Sequence, residues 1–354
     1  MNALLPVAVT VRAADLNDER ERARLDAFVA ERADGTIFHR PDWSRMVEAG
    51  CGQKPLFLVA ECGGRLVGCL PLTAIRSRLF GNALVSVGFA TGGGILAESA
   101  QAATRLAEAA WAAAQRERCQ SVELRGGPLP EGFVARQGVY ARFDRSLPGD
   151  AEALMKSLPR RQRAEVRRAQ RQGLEVIAGS DSAFIDGHFR AYSEGVRNLG
   201  SPVFPRRLFQ AALTLFGPDA DICLARQGDA VHATMLNFYF KGACLPFWGG
   251  GTEQARVVSG NDLVWYETMR RAIARGCTRA DFGRSKVGTG PWRRKQIWGF
   301  DEHPLDYRLR TVDGTRGRDI NPLSAGNRLK VEAWKRMPLW AANRLGPLLA
   351  RGLG

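Results

Sequence analysis

The spacing of apolar and polar residues changes period along the chain, and these changes mark the elements. Pro6–Arg12 alternates as an edge strand does, and Asp15–Ala33 sets Leu16, Leu25, Phe28 and Val29 among charges at helical spacing. Thr36–Glu48 predicts a short strand followed by a helix opened by Pro41. Pro55–Glu61 and Leu66–Ile75 flank Cys62-Gly63-Gly64-Arg65 and predict a hairpin. Ala83–Val87 predicts a strand and Gly92-Gly93-Gly94 a flexible turn. The alanine-rich Ala97–Arg118 predicts a helix, and Cys119–Arg125 a strand.

After Leu147-Pro148-Gly149 the pattern resumes with a cationic helix over Ala151–Gly173, interrupted near Pro159. Leu174–Ala178 predicts a strand, and Ala183–Leu199 and Pro205–Leu215 helices. Asp221–Gln227 and Val231–Phe240 predict a hairpin around Gly228-Asp229. Ala243–Phe247 predicts a strand that ends at Trp248, before three glycines. Leu263–Arg275 predicts a helix with Asn261 or Asp262 as its cap, and Leu305–Thr311 a last strand.

This order occurs twice. PLFLVAECGGRLVG and ICLARQGDAVHA are corresponding hairpins, each followed by a strand, a triple glycine, a helix and a further strand. Their offset, about 166 residues, is a domain length rather than a solenoid period. The expected fold is mixed α/β, two copies of one domain. The expected division is 1–147, then 148–320, then a basic amphipathic tail over 321–354.

Composition narrows the function. Hydrophobic residues make up 45% and charged residues 25%, as in a globular protein. The seven cysteines are scattered with no C-x-x-C pair, and the four histidines lack ligand spacing. No disulfide framework, metal site or permanently bound cofactor is expected, and a reducing cytoplasm is. The N-terminus lacks a basic segment followed by a long apolar run, and no apolar run approaches membrane-spanning length. The formal charge of +15 sits in three patches: Lys156–Gln172, Arg284–Lys295 and Arg316–Gly354. Such patches favour polyanions: phosphorylated substrates, nucleic acid or an anionic membrane face.

The middle patch belongs to Arg279–Phe300, which predicts a buried strand, a basic glycine turn and a cationic aromatic helix. Gly288 and Gly290 let a ligand approach the backbone, and Pro291 suits a first helical turn. Cations and amides converging at a helix N-terminus make an anion site, although a solvated basic loop reads the same way.

DFGRSKVGTGPWRRKQIWGF, with LPRRQRAEVRRAQRQGL, FHRPDWSR, RLFGNALVS and GNDLVWYETMRRA, resembles one family from about His39 to about Tyr307. It is the FemAB-related proteins associated with exosortase/PEP-CTERM systems, in the tandem-domain Fem branch of the GNAT-like (acyl-CoA N-acyltransferase-like) superfamily. The resemblance implies two tandem GNAT-like domains and transfer of an acyl or aminoacyl group to an amine. It implies acyl-CoA or aminoacyl-tRNA as donor substrate, and a phosphorylated or lipid-linked glycan or peptidoglycan-type acceptor. The setting implied is cell-envelope or exopolysaccharide assembly, in the cytoplasm or on the inner membrane face. Where relatives carry Phe-Lys before the W-G-F block, this chain has Arg294-Lys295.

Carried onto this sequence, Lys295 is the expected catalytic residue, a cation for the tetrahedral oxyanion, with the amides of Gly288–Gly290 as helpers. Arg284, Ser285, Lys286, Gly288, Thr289 and Gly290 are the expected donor- or substrate-binding turn. Arg284–Gly290 is one residue longer than the GNAT pyrophosphate motif. Trp248, Trp265, Tyr266, Trp292 and Trp298 either line an acceptor groove or fill the core, and Trp298 is the one expected at the site. Arg160, Arg161 and Arg163 either grip phosphates or face solvent. Glu267, Asp262, His39 and Asp42 are all candidates for the base. The tail either lies on an anionic membrane or docks on the body. Two other readings remain: a non-catalytic GNAT-like binder of a polyanionic glycan or lipid-linked intermediate, and a tRNA-binding protein. The chemistry is expected in the second copy, because the first has Arg125 but no basic glycine turn.

Overall fold

The computed structural model describes residues 8–77, 81–312 and 325–353, with the side chains of 325–328 excepted. Pro6 of the first expected strand, the Arg78–Phe80 part of RLFGNALVS, and the junction of second domain and tail (313–324) lie outside the described residues. The elements run β1 (Thr10–Ala13), α1 (Glu19–Glu31), α2 (Pro41–Cys51), β2 (Pro55–Cys62), β3 (Arg65–Ile75), β4 (Ala83–Ser86), β5 (Leu96–Ala97), α3 (Ala100–Arg116), β6 (Ser121–Arg125) and β7 (Val134–Ser146). They continue α4 (Ala151–Ser157), α5 (Arg160–Arg171), β8 (Glu175–Gly179), α6 (Ser182–Asn198), α7 (Arg206–Phe216), β9 (Ala220–Gln227), β10 (Ala230–Phe240) and β11 (Ala243–Gly251). The last are α8 (Glu253–Val257), α9 (Gly260–Ala274), β12 (Arg279–Lys286), α10 (Gly290–Ile297), β13 (Asp301–Thr311), α11 (Ala325–Lys335) and α12 (Leu339–Ala350).

The chain forms two compact units. One comprises 1–137, 306–320 and 351–354, the other 138–305 and 321–350. In the first unit the strand order is β1-β2-β3-β4-β6-β13, with β4 and β6 parallel and their neighbours antiparallel. Helix α3, capped by Ser99, connects them and buries its alanine face with Leu106 against the sheet. In the second unit the order is β7-β12-β11-β10-β9-β8, with β11 and β12 parallel across α9. A hairpin, an antiparallel third strand, a helix and a parallel fourth strand thus occur twice, which is the repeat expected from the sequence.

The core of the second unit is aromatic. Trp298, Phe143, Phe282 and Phe300 are buried with Met269 and Val166, and the Phe282 and Phe300 rings stack at 4.4 Å. The α9 and α5 helices cover this face; Val166 and Ala169 turn inward while Arg160, Arg161, Arg167 and Arg168 face solvent.

Several local expectations are corrected. Residues 37–39 form a 3-10 turn, not a strand, because Thr36 and His39 cap each other reciprocally. The glycines after Trp248 continue β11, where Gly249, Gly250 and Gly251 pair with Met235, Thr234 and Ala233. Gly92-Gly93-Gly94 is no flexible turn: the Gly94 carbonyl bonds His39 Nε2 at 3.0 Å and its α-carbon faces the Gly126 carbonyl, leaving no room for a side chain. The cap of α9 is Ser259, with Asp262 already inside the helix. Strand β7 was not anticipated, although Arg142-Phe143-Asp144-Arg145 alternates. In the tail only Pro338 interrupts the helix; Pro347 removes one helical donor within α12 without ending it.

Candidate active site in the second unit

The site begins with a break in regular pairing. Strand β12 follows β7 in register at Arg279–Ser146, Ala280–Arg145 and Asp281–Asp144, then shifts before Arg284–Arg142. The extra residue is accommodated at Gly283, whose φ of 63° lies in the left-handed region that suits glycine. The Asp281 carboxylate accepts the Gly283 N–H at 2.9 Å and fixes the bulge. Bulging turns three successive carbonyls to one side, and Lys295 of α10 fills the hollow. Its Nζ donates to the carbonyls of Phe282 at 2.5 Å, Gly283 at 3.2 Å and Arg284 at 3.2 Å, using all three ammonium donors. The side chain is 8% exposed, and Nζ lies 5.5 Å from the centre of the Phe143 ring. Burial pulls the ammonium down to about 7, and the nearby Asp281 charge opposes this. Burial also raises the Asp281 carboxyl, against the Arg142 charge.

The second feature is an opening. Pairing of β11 with β12 is confined to Ala243–Arg279 and Cys244–Ala280. Beyond it both strands continue, to Gly251 and Lys286, with no pairing between them among the described residues. The strands therefore part beyond Cys244 and Ala280 into a notch, with Leu245–Gly251 along one wall. Arg284, Ser285 and Lys286 lie on the other wall, and the turn to α10 follows them.

In that turn Thr289 Oγ1 donates to the Lys286 carbonyl at 2.7 Å and makes no cap bond to the helix. The first turn of α10 thus has no side-chain cap, and Pro291 there carries no N–H to satisfy. Gly288, at φ 81°, makes the turn possible. Gly290 has no such constraint: a β-carbon there meets no atom within 4 Å among the described residues. The Arg284 guanidinium lies 4.8 Å from the Tyr140 ring centre, its aliphatic stem half-buried.

The first unit shows the same topology shut. There β4 and β6 pair over their whole length, Ala83–Ser121 to Ser86–Leu124. The chain beyond Ser86 folds over the end of the gap. Arg125, 2% exposed, donates to the Val87 carbonyl at 3.0 Å and the Ala90 carbonyl at 2.8 Å, and pairs with Glu123 at 2.9 Å. The expected counterpart of Arg284 is therefore a structural rivet. Arg125→Met is expected to destabilise the first unit by about 3 kcal/mol, since it removes the guanidinium donor from the buried Val87 and Ala90 carbonyls and the charge beside Glu123. Thermal unfolding would show this as a lowered first transition.

Arg284, Ser285 and Lys286 end β12, with Ser285 buried; Gly288, Thr289 and Gly290 lie on the turn into α10; and Lys295 is bonded to the carbonyls of Phe282, Gly283 and Arg284 beside Phe143 of β7. Trp298 lies elsewhere. That indole is fully buried, lies tilted against Trp265 with ring centres 5.3 Å apart, and donates to Asp262 at 3.1 Å, so it belongs to the core. Arg294 pairs with the same Asp262 oxygen at 3.0 Å and lies 5.0 Å from the Trp265 ring centre, a cation held against an aromatic face. Arg160, Arg161 and Arg163 occupy the first turn of α5, whose cap Pro159 packs on Gly299 just beyond α10.

Of the base candidates, Glu267 pairs with Arg270, Asp42 with Arg45, and Asp262 with Arg294. His39, in the first unit, is bonded at both ring nitrogens. Sequence reasoning missed a charged cluster behind the bulge. Asp144, directly across from Asp281, bonds Arg142 at 2.8 Å, Arg279 at 3.3 Å and His303 at 2.9 Å. Its signal was the alternation of β7. No group of three or more His, Cys, Asp or Glu that could hold a metal occurs among the described residues.

With this geometry in hand, the comparisons with known proteins are informative. The acetyltransferase (GNAT) domain family matches residues 160–294, inside the second unit. No curated protein matches the sequence. Among solved structures, a crystal structure of FemX is similar at 14% identity and a TM-score of 0.62, over 84% of this chain and 96% of that one. A tandem GNAT protein from the clavulanic acid biosynthesis pathway is similar at 13% identity and 0.53, over 86% and 98%. The structure of L-PGS from Bacillus licheniformis is similar at 12% and 0.53, over 92% and 99%. At such identities the likeness is one of fold. The chain has the tandem GNAT fold, and GNAT acyltransferases use acyl-CoA as a substrate rather than a resident group.

Proposed function

We propose that the second unit transfers an acyl or aminoacyl group to an amine of a phosphorylated or lipid-linked envelope acceptor. The single observation that carries this reading is the notch: the same topology is sealed by Arg125 in the first unit and open in the second. The gap between the parted strands has room for an extended, amide-bearing donor arm. The uncapped α10 amides and the Arg284 and Lys286 cations take its phosphates. The amine attacks the donor carbonyl, forming a carbon–nitrogen bond and an oxyanion; collapse expels the donor's leaving group, and the amine proton passes to solvent or a base. Lys295 supports the oxyanion in two ways. It contributes positive charge close to the notch, and it holds the three bulge carbonyls away from the developing negative charge.

An acyl-CoA donor is favoured by the notch. A tRNA donor, as a second reading, is favoured by the exposed first turn of α5. Isothermal titration separates them. Coenzyme A is expected to bind the wild-type protein, and absence of binding counts against the acyl-CoA form. For an RNA donor, Arg160→Glu, Arg161→Glu and Arg163→Glu together lower the log–log salt slope by about 2. An unchanged slope removes the α5 arginines from the reading. A role in exopolysaccharide assembly beside PEP-CTERM and exosortase systems, at the inner membrane face, is the setting we propose for this reaction. Ligand binding without turnover on any donor would instead leave a non-catalytic binder of polyanionic glycans.

A further inference from the structure

The tail helices present an unusual face. Helices α11 and α12 dock on the second unit from one side: Trp334 donates to the Ser201 carbonyl at 3.1 Å and Arg197 to the Lys335 carbonyl at 3.2 Å. The inward residues of α12 are Ala342, Gly346 and Ala350, all buried, with Gly346 against Val203. With these small residues spent on docking, the large apolar residues point outward. Trp340 is 75% exposed, Leu348 59% and Leu345 44%. Trp340, Arg344 and Leu348 follow at intervals of four, one stripe along the helix, with Leu345 beside it. Leu329 of α11 is 79% exposed. Five bases, Arg328, Lys330, Lys335, Arg336 and Arg344, accompany a single acid, Glu332, across residues 325–350.

From this we infer that the outer face of α12, Trp340, Leu345 and Leu348 with Arg344, seats the second unit on an anionic phospholipid bilayer. The inference deepens the membrane-apposed reading above and rests on it for its biological setting, but not for its physics. A helix lying in the interface buries leucines among acyl chains, keeps Trp at headgroup depth and lets Arg reach phosphates. The excess of positive charge selects an anionic surface over a second copy of this chain, which would bring like charges together.

Sedimentation with phosphatidylcholine vesicles containing about a third phosphatidylglycerol tests it. The full chain is expected to pellet with these vesicles and to remain in solution with pure phosphatidylcholine. Trp340→Glu with Leu348→Glu is expected to weaken binding at least about tenfold, and Arg344→Glu less. Brominated lipid is expected to quench wild-type tryptophan fluorescence more than that of Trp340→Phe, whose fold is preserved. No binding by the wild-type chain at low salt overturns the inference. So does a wild-type dimer in solution that Trp340→Glu dissolves, which assigns the face to a second copy. Coenzyme A binding to the double variant, measured in parallel, keeps the two readings apart. If it persists while vesicle binding is lost, both stand; if coenzyme A never binds while vesicles do, the acyl-CoA form of the transferase reading falls and the membrane inference stands.

Discussion

Lys295→Met is expected to cut transfer by about 100- to 1000-fold and to lower the stability of the second unit by about 2–3 kcal/mol. Both effects come from one geometry. The substitution removes the ammonium donor from the carbonyls of residues 282–284, which hold the bulge of β12 in place. The pH dependence carries a distinct signature. The ammonium titrates near 7 in the folded protein and near 10.5 in the unfolded chain. Between these values the unfolded chain binds more protons, so this group makes stability rise with pH from about 7 to about 10.5. Below 7 both states are charged and the cost of burying the charge is fully felt. Chemical denaturation across this range should show the rise in the wild-type protein and its loss in Lys295→Met. Full activity in the variant would remove Lys295 from the mechanism.

Gly290→Asp separates ligand binding from folding more cleanly. The new side chain meets open space, and an acidic residue in the first turn of α10 favours the helix dipole, so the melting temperature should hold or rise slightly. The carboxylate sits where a phosphate is proposed to bind. Affinity for coenzyme A, or for whichever anionic donor is used, should fall by at least about 100-fold. Gly290→Ala, with the same backbone and no charge, should lose little. Equal binding by Gly290→Asp and the wild-type protein would remove the α10 N-terminus from the site.

The tandem architecture was legible because it rests on periodicity and repetition. Two hairpins flanked by the same succession of elements need no knowledge of packing. The basic glycine turn was also legible, since Gly288 and the cations are local features. What could not be read were the consequences of pairing. Lys295 looks like any cation on an amphipathic helix until the register shift beside Gly283 turns three carbonyls toward it. Trp298 is expected at the site, and its complete burial among Phe143, Phe282 and Phe300 places it in the core instead. Arg125 and Arg284 end similar strands, yet one closes a gap and the other borders one. Such differences arise from contacts between residues tens of positions apart, which no local pattern records. Strand β7 was missed for a related reason: its polar alternation suits a strand whose partners hold charge, as Arg142 and Asp144 do with Asp281 and His303.

The sealed gap of the first unit has a further consequence. An unpaired strand edge invites pairing with any extended chain, and a protein with two open copies would carry that hazard twice. By folding residues 87–94 over one gap and fastening them with Arg125, the chain closes there what the second unit leaves open as the notch that a ligand is proposed to cover. Occupancy of the notch would then act as a chaperone for its own edge. The saturated protein should resist aggregation at temperatures where the empty one does not, independent of any gain in melting temperature.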